Sequence, residues 1–415
     1  MSALIHAATM VTAGVFLVIR SSFIFEHVRN ILDFITIIGA LTSFFAATTG
    51  LFQNDLKRVI AYSTCSQLGY MIFACGLSNY SVGFFHLTNH AFFKALLFLS
   101  AGSVIHAVSD EQDMRKMGGL KKLVPFTYSV ITIGSLALIG FPFFTGFYSK
   151  DLILEIAYSK YNSFGYFSFY MGTIVAYFTA YYSMRLLFLT FLTKPTGYKK
   201  VIFFAYDSSF YICFSLSCLV IPSVLAGYYS KEIIVGIGNT VFNGIIYINT
   251  KNFNIFDAEF VNIFFKSLPV YFSLFGFFSA FIFYLFKFKF LFNLKTSKLG
   301  KKFYSFFNRK WFIDKIYNEF FGQFFFKFAY SKSYKFIDKG IFEIVGPTGL
   351  TKVVSKISLS IDKLQTGYIY HYTSLILIAA SLFFCFKETL YIFEFFLDYR
   401  LFIIGIVLSF FLIDN

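Results

Sequence analysis

The sequence has few charged residues and many long apolar runs. Only 14% of its 415 residues are Asp, Glu, Lys or Arg, whereas 57% are hydrophobic. Ordinary soluble domains carry about a quarter charged residues, so this composition excludes that class of protein. Tryptophan occurs once. Proline occurs only six times, which leaves the apolar runs largely free of helix breakers. The composition predicts a membrane protein.

Motifs for redox cofactors and for metals are scarce as well. The five cysteines lie in apolar runs without CxxC spacing, which disfavours a disulfide framework, a zinc site or an iron–sulfur cluster. No GxGxxG fingerprint follows a predicted strand, which disfavours dinucleotide binding. We therefore expect no cofactor and no metal in this chain. The net charge of +15 points to basic loops on one side of a membrane and not to a nucleic-acid partner.

Apolar runs of about 20 residues predict membrane-spanning helices. They do not alternate between polar and apolar residues, which excludes the strands of a β-barrel. The predicted spans are 2–20, 31–53, 58–78, 83–107, 125–158, 165–193, 203–228, 268–292 and 366–388. A further run at 390–413, interrupted by Asp398 and Arg400, is either a last span or two half-buried pieces. The predicted fold class is all-α and polytopic, with nine or ten spans.

Basic residues accumulate in alternate loops, which predicts the orientation. The loops on one side contain Lys57, Arg58, Arg115, Lys116, Lys121, Lys122, Lys194, Lys199, Lys200 and the lysine-rich segment 287–363. The loops on the other side are nearly balanced in charge. Because inner loops are enriched in Lys and Arg, we assign the basic side to the cytoplasm or matrix.

One segment is neither a span nor a loop. Within 309–339 a polar residue recurs at every fourth position, from Lys315 to Lys339, with Phe, Ile and Tyr between. This pattern is typical of an amphipathic helix in the membrane interface. With its continuation to 364 it would extend about 80 Å, too long to cross a bilayer of about 30 Å. It either lies across other proteins or is a basic anchor that contacts only lipid, and anionic lipids are plausible neighbours.

The predicted organisation therefore has four parts. These are a transmembrane helix bundle at 1–230, a connecting region at 231–307 with a span at about 268–292, a lateral amphipathic helix at 308–365 and a carboxyl-terminal anchor at 366–415.

The strongest functional signal is a row of ionisable residues inside one apolar helix. His86, His90 and Lys94 are four residues apart and share a helix face. Ionisable groups at such positions are costly and mark ion or proton paths. Histidine suits a proton relay because it titrates near neutrality. A metal site is one alternative, but no carboxylate or cysteine nearby completes a ligand set. A haem site is another, but it would need a facing histidine on a second helix, for which His6 and His106 are the intramembrane candidates.

Two further candidates lie outside this row. Lys150 follows a segment, Gly140 to Gly146, in which glycines and Pro142 predict a helix broken within the membrane, a typical location for ion sites. The alternative is that Lys150 only anchors a helix end at the interface. His6 lies in a helix of small residues, where it is either part of a proton path or a hydrogen-bonded packing residue.

Three segments, 2–14, 55–70 and 86–98, closely resemble the antiporter-like membrane subunits of respiratory complex I. Four later segments are similar to the subunit-5 branch of that family. They are 146–151, 310–318, 338–347 and 364–372. The resemblance covers nearly the whole chain and is weakest at 201–265.

The resemblance implies an antiporter-like bundle with a broken helix, and a long lateral helix on the matrix side of the mitochondrial inner membrane. It implies proton translocation within NADH:ubiquinone oxidoreductase, with other membrane-arm subunits as partners. NADH, flavin, iron–sulfur clusters and ubiquinone would be bound by other subunits. By motif, His6, His86, His90 and Lys94 fall in the central proton path, and Lys150 falls towards its exit.

The family also has a first broken helix, with its own lysine and a partner glutamate, that should precede Ser2. We expect a second polypeptide to supply it, and a truncated subunit is the alternative. Two other functions stay open at this point. One is a subunit of a sodium/proton antiporter complex, and the other is a structural clamp of the membrane arm without active proton transfer.

Overall fold

The fold was analysed in a computed structural model. It describes residues 9–236, 241–242, 244–249, 252, 255–393 and 403–404. Over these residues the chain is all-α, and the one strand-like contact is an isolated bridge between Asp55 and Asp113. The chain divides into two units, Met1–Asp314 and Lys315–Asn415. The expected all-α fold class is confirmed.

The first unit is a bundle of helices. They are α1 (Met10–Arg20), α2 (Ser22–Glu26), α3 (Arg29–Phe52), α4 (Leu56–Gly76), α5 (Tyr80–Ala107), α6 (Pro125–Ile139), α7 (Thr145–Ser159), α8 (Ser163–Leu187), α9 (Lys199–Phe203), α10 (Phe210–Val235), α11 (Ile255–Glu259), α12 (Ile263–Phe281), α13 (Phe288–Thr296) and α14 (Lys298–Asn308). By length and hydropathy, the described residues of the whole chain contain six helices able to cross a membrane. They are Arg29–Phe52, Tyr80–Ala107, Ser163–Leu192, Phe210–Val235, Ile263–Phe286 and Ile369–Lys387.

The difference from nine or ten predicted spans has several sources. The predicted span 125–158 is two short helices, α6 and α7, and the predicted span 58–78 is α4, which is not among the six. The run 2–20 is described only from residue 9, and most of 390–413 lies outside the described residues.

Two predicted helix boundaries were wrong. The run 203–228 begins only at Phe210, because the carboxylate of Asp207 accepts the backbone N–H groups of Phe126 and Thr127 at 3.3 and 3.4 Å and so holds this stretch against the start of α6. The run 268–292 begins earlier, at Ile263, where the side chain of Asn262 caps the helix.

A buried arginine joins helix ends on the basic side of the bundle. The guanidinium of Arg185 donates to the carbonyls of Leu51 and Gln53 at 2.5 and 2.7 Å, and to Oδ1 of Asn54 at 2.9 Å. Only 6% of Arg185 is exposed. The end of α3 is therefore tied to α8.

An aromatic contact fixes the last helix of the first unit against α3. The rings of Phe52 and Phe307 stack at 5.2 Å, and the indole of Trp311 meets Phe45 at 5.3 Å. Residues 310–312 all have φ near +55°, which turns the chain sharply after α14. Trp311 thus anchors the segment that leads to the lateral helix.

The second unit contains the predicted amphipathic helix. Helical turns run to residue 345, break at Gly346, and resume as Pro347–Leu364, with proline in the first turn where its missing N–H is tolerated. Two stretches, Tyr317–Gly322 and Phe328–Phe342, are wound with π-type hydrogen bonds. The helix Ile369–Phe393 follows, where a span at 366–388 was predicted.

Candidate functional site

The predicted break in the helix at 125–158 is confirmed. α6 ends at Ile139, Gly140 adopts φ +85°, and α7 begins at Thr145. The two halves approach closely, because a Cβ on Gly146 would lie 1.8 Å from the carbonyl oxygen of Ala137. Only glycine fits at Gly146, and the break leaves carbonyl groups at the end of α6 without helical partners.

Lys150 occupies this break. Its ammonium donates to the carbonyl of Ile139 at 3.2 Å and to the hydroxyl of Thr179 at 3.0 Å, and lies 5.7 Å from the centroid of the Tyr70 ring. Lys150 is 2% exposed. A lysine that only anchored a helix end would reach water, so the burial opposes that alternative. The ammonium is instead held by a carbonyl that the break makes available.

Asp151 is the nearest carboxylate to Lys150 along the chain. It is 9% exposed, and its Oδ2 has no hydrogen-bond partner among the described residues. A buried carboxylate oxygen without a donor is costly, and such groups are typical of functional sites. Asp151 extends the ionisable site of Lys150.

His86 connects the row on α5 to the broken helix. Its Nδ1 lies 2.8 Å from the hydroxyl of Ser149 on α7, and its Nε2 lies 3.1 Å from Oε1 of Gln67 on α4. Because an amide oxygen only accepts, Nε2 carries the proton and Nδ1 accepts from Ser149. The Ser149 hydroxyl also has the carbonyl of Thr145 within reach at 3.3 Å. If His86 gains a proton at Nδ1, this hydroxyl can turn to the carbonyl of Thr145. The Ser149 hydroxyl therefore donates to His86 when His86 is neutral and to Thr145 when His86 is protonated.

His90 lies one helical turn further along the same face. Its ring centroid is 6.2 Å from that of His86, and it is fully buried. Within the described part of the chain, neither ring nitrogen has a hydrogen-bond partner. The same holds for the side-chain amide of the neighbouring Asn89. Unpaired buried nitrogens at this position fit a group that exchanges a proton, because water can bridge the remaining distance.

Lys94 completes the row and is fully buried. Its ammonium donates to the hydroxyl of Ser63 on α4. Ser63 in turn donates to the carbonyl of Ile60 at 2.7 Å. The row therefore contacts α4 at two levels, through Gln67 and through Ser63.

The structure brings four of the five predicted residues into one connected region. His86, His90 and Lys94 share a face of α5, and His86 contacts Ser149, the residue before Lys150. His6 lies outside the described residues. The assignment of these residues to a proton path stays a prediction.

Sequence reasoning did not select the polar partners of these groups. Gln67, Ser63, Ser149 and Thr179 are hydrogen-bonding side chains on three neighbouring helices. Gln67, Ser63 and Ser149 lie inside the segments 55–70 and 146–151 that carry the family resemblance. That resemblance was the sequence signal by which they could have been selected. Thr179 gave no such signal.

Outside the membrane-spanning helices, the loop after α5 is held by ion pairs. Asp113 accepts from the guanidinium of Arg115 at 2.6 Å and from its backbone N–H at 2.9 Å. The side-chain hydrogen bond from Arg115 lowers the pKa of the Asp113 carboxyl, and its burial opposes this only in part. Lys116 pairs with Glu111 at 3.0 Å on the same surface.

Known proteins match both the bundle and the later helices. Residues 1–177 match the family described as NADH:quinone oxidoreductase/Mrp antiporter, TM, and residues 182–387 match the family described as NADH dehydrogenase subunit 5 C-terminus.

Three relatives are named NADH-ubiquinone oxidoreductase chain 5. That of Phytophthora infestans is 57% identical over 91% of this chain and 57% of its own length. The relative from Marchantia polymorpha is 52% identical over 98% of this chain and 61% of its own length, and the one from Arabidopsis thaliana is 50% identical over 99% and 61%. The chain spans about three fifths of the length of these relatives. The two family matches together cover most of the chain, which is therefore similar to antiporter-like membrane subunits over residues 1–177 and to NADH dehydrogenase subunit 5 over residues 182–387.

Proposed function

We propose that this chain is a proton-translocating subunit in the membrane arm of respiratory NADH:ubiquinone oxidoreductase. The observation that carries the proposal is the hydrogen bond between His86 and Ser149, which joins a buried row of ionisable residues to the broken helix at the residue before the buried Lys150. The names of the relatives supply the complex, since each is chain 5 of that enzyme.

On this proposal a proton moves along α5 and reaches Lys150 through the broken helix. His90 exchanges a proton with His86 across a ring separation of 6.2 Å, with water as the bridge. A proton arriving at Nδ1 of His86 turns the Ser149 hydroxyl towards Thr145, which changes the surroundings of the adjacent Lys150. Lys94 accepts or supplies the proton at the other end of the row.

The chain's place in the cell follows from the same proposal. We propose a multi-pass protein of the mitochondrial inner membrane, with the basic loops and the lateral helix 308–365 on the matrix side. The lateral helix would contact neighbouring membrane-arm subunits and anionic lipids, because its large apolar residues, such as Phe320 and Phe324, are exposed in this chain. NADH, flavin, iron–sulfur clusters and ubiquinone would be bound by other subunits.

Replacing Lys150 by Met tests the function. Met keeps the length and apolar volume of the side chain but removes the charge. In assembled complex, we expect fewer protons pumped per electron, measured as proton uptake against NADH oxidation in sealed membrane vesicles. Lys122→Met, in an exposed loop, is the matched control and should leave the ratio unchanged. An unchanged ratio in Lys150→Met would support a structural clamp instead.

The sodium/proton antiporter alternative has one observation in its favour, since the family matched by residues 1–177 includes Mrp antiporters. The match of residues 182–387 to the subunit-5 family favours the respiratory complex. Sodium dependence of the transport would reverse this preference.

A further inference from the structure

One helix, α10, lies alongside both halves of the broken helix. It contacts α6 and α7. Its buried residues are Leu216, Ser223, Gly227 and Val235. The rest of its surface is largely exposed, so these few positions account for most of what α10 buries in the bundle.

Ser223 and Gly227 form a notch in α10 that receives the first residue of α7. The hydroxyl of Thr145 donates to the carbonyl of Ser223 at 2.7 Å, and both residues are fully buried. A Cβ on Gly227 would lie 2.7 Å from the Cα of Thr145 and 3.0 Å from its carbonyl oxygen. The two backbones therefore meet with no side chain of Gly227 between them, as small residues permit in membrane helices. The start of α7 is fixed against α10.

The residue Asp207, just before α10, holds the other half of the broken helix. Its carboxylate accepts the backbone N–H groups of Phe126 and Thr127 at the start of α6. These groups have no partner within the helix, and a carboxylate is favoured at the positive end of the helix dipole. The start of α6 is thus attached to the segment that leads into α10.

The two attachments match in spacing. From Phe210 to Ser223, α10 rises about 20 Å. The helix α6 has 15 residues and is about 22 Å long. Between the attachments Leu216 packs with Val130 of α6. Because the contacts occur in the same order along both elements, α10 runs parallel to α6 and reaches past the break to α7.

The position of Lys150 depends on how far apart the two halves are. Its ammonium belongs to α7, whereas its acceptor, the carbonyl of Ile139, ends α6. Any movement of one half against the other changes this 3.2 Å contact. Thr145 lies five residues before Lys150 on the same short helix, so an attachment at Thr145 also holds Lys150 in place.

We propose that Asp207 and α10 together form a brace across the broken helix, and that Thr145 and Asp207 are positioning residues for Lys150. They act by fixing the distance from Lys150 to the carbonyl of Ile139, and neither carries a proton. The part of this inference that concerns pumping rests on the proposed function. A brace holds only while both ends are attached, so loss of either attachment should release the break.

Thr145→Val tests the first attachment, because valine has a similar shape and lacks the donor. Thr145→Ser keeps the hydroxyl and should restore the wild-type behaviour. Thr190→Val is the matched control, since the Thr190 hydroxyl is equally buried but donates within its own helical segment, to Leu186 at 2.8 Å. The variants are compared in assembled complex by electron cryomicroscopy and by proton uptake per NADH oxidised.

In Thr145→Val we expect a longer contact between Lys150 and Ile139 and fewer protons per electron. A displacement of about 1 Å can lower a rate by about 100-fold, so most of the pumping that Lys150→Met loses should be lost here too. Thr145→Ser and Thr190→Val should keep the wild-type contact and ratio.

Asp207→Ala tests the second attachment and decides the question if Thr145→Val does not assemble. It should lengthen the same contact and lower the same ratio, and Asp207→Asn, which keeps one acceptor oxygen, should lie between Ala and wild type. The double variant Thr145→Val/Asp207→Ala should pump no worse than the poorer single variant, because either change already releases the brace.

Three results would overturn the brace. They are an unchanged contact of Lys150 in both single variants, wild-type pumping by both, and losses that add in the double variant, which would mean that the two attachments act independently. If Lys150→Met lowers pumping while the brace variants do not, the brace alone is wrong. If Lys150→Met pumps normally, the proposed function fails, and the position of Lys150 in the maps still tests the brace.

Discussion

Replacing Gly146 by Ala should disturb the broken helix more than any other change of a single methyl group in the bundle's proton path. The added Cβ would lie 1.8 Å from the carbonyl oxygen of Ala137. This obstacle is backbone, so it cannot move away by a rotamer change. The two halves of the broken helix would have to separate by about 1.5 Å or more to restore van der Waals contact.

The expected loss in the free energy of unfolding can be estimated from this contact. Overpacking of a well-packed interior costs about 1–3 kcal/mol, and a clash with backbone belongs at the upper end of that range. The higher helix propensity of Ala offsets only about 0.5–1 kcal/mol. A net loss of about 2 kcal/mol corresponds to a fall of roughly 4–8 °C in the unfolding midpoint of a domain of 150–250 residues.

The functional effect should exceed the effect on stability. Lys150 bonds to the carbonyl of Ile139, two residues beyond Ala137, so separation of the halves lengthens this 3.2 Å contact. A displacement of about 1 Å in a reacting group can lower a rate by about 100-fold. We therefore expect Gly146→Ala to lose proton pumping per electron even in complex that assembles.

Gly102→Ala is the matched control, since Gly102 lies in the helix α5 and nothing lies within 4 Å of an added Cβ. It should stabilise the subunit by about 0.5–1 kcal/mol or leave it unchanged. The assays are thermal inactivation of the purified complex and proton uptake per NADH oxidised. Gly146→Ala complex with the wild-type midpoint and the wild-type pumping ratio would refute the close approach described above.

Three further predictions concern other parts of the chain. Ser149→Ala should lower protons per electron without loss of assembly, because it removes the link from His86 to the broken helix; a pumping assay checks this. Arg185→Met should destabilise the complex by about 1–3 kcal/mol, seen as a lower inactivation temperature, because buried carbonyls lose their donor. Asp113 has a lowered pKa, so its stabilisation of the loop is present above about pH 4 and is lost as the pH falls through the folded value; hydrogen exchange of the Arg115 amide should accelerate there.

Each of these has a control and a contrary result. Ser159→Ala, on the same helix as Ser149 but away from His86, should pump normally, and equal pumping by Ser149→Ala would exclude the link. Arg185→Lys should retain part of the stability; equal inactivation temperatures for Arg185→Met and wild type would show that the arginine contacts contribute little. Asp113→Asn should exchange quickly at pH 7, and slow exchange would mean that the charge of Asp113 does not hold the loop.

The sequence predicts the elements of the fold better than their ends. The break at 140–146 follows from glycine and proline, which act locally, and the structure has it there. The start of α10 depends on Asp207 reaching Phe126, more than 80 residues earlier, and hydropathy contains no such information. The early start of α12 depends on a cap at Asn262 followed by a proline, Pro269, that the helix tolerates.

The candidate site likewise has one part that the sequence predicts and one part that it does not. The row on α5 is visible because helical spacing alone puts its members on one face. The contacts of His86 with Gln67 and Ser149 depend on how three helices are aligned against one another, and a single sequence does not encode that alignment in any periodic pattern. The burial of Arg185 was missed for the same reason, since its partners lie in a distant turn.

The winding of the lateral helix has a geometric consequence. Its polar residues recur every four positions, whereas an α-helix turns once in 3.6, so a polar edge on an ideal α-helix would drift by about 40° at each step. Over the six steps from Lys315 to Lys339 the edge would travel about 240° and meet water and lipid in turn. The π-wound stretches Tyr317–Gly322 and Phe328–Phe342 contain more residues per turn, which cancels much of this drift. The polar residues therefore stay closer to one edge of the element, and removal of one residue within 328–342 would rotate the polar residues that follow it by roughly a quarter of a turn.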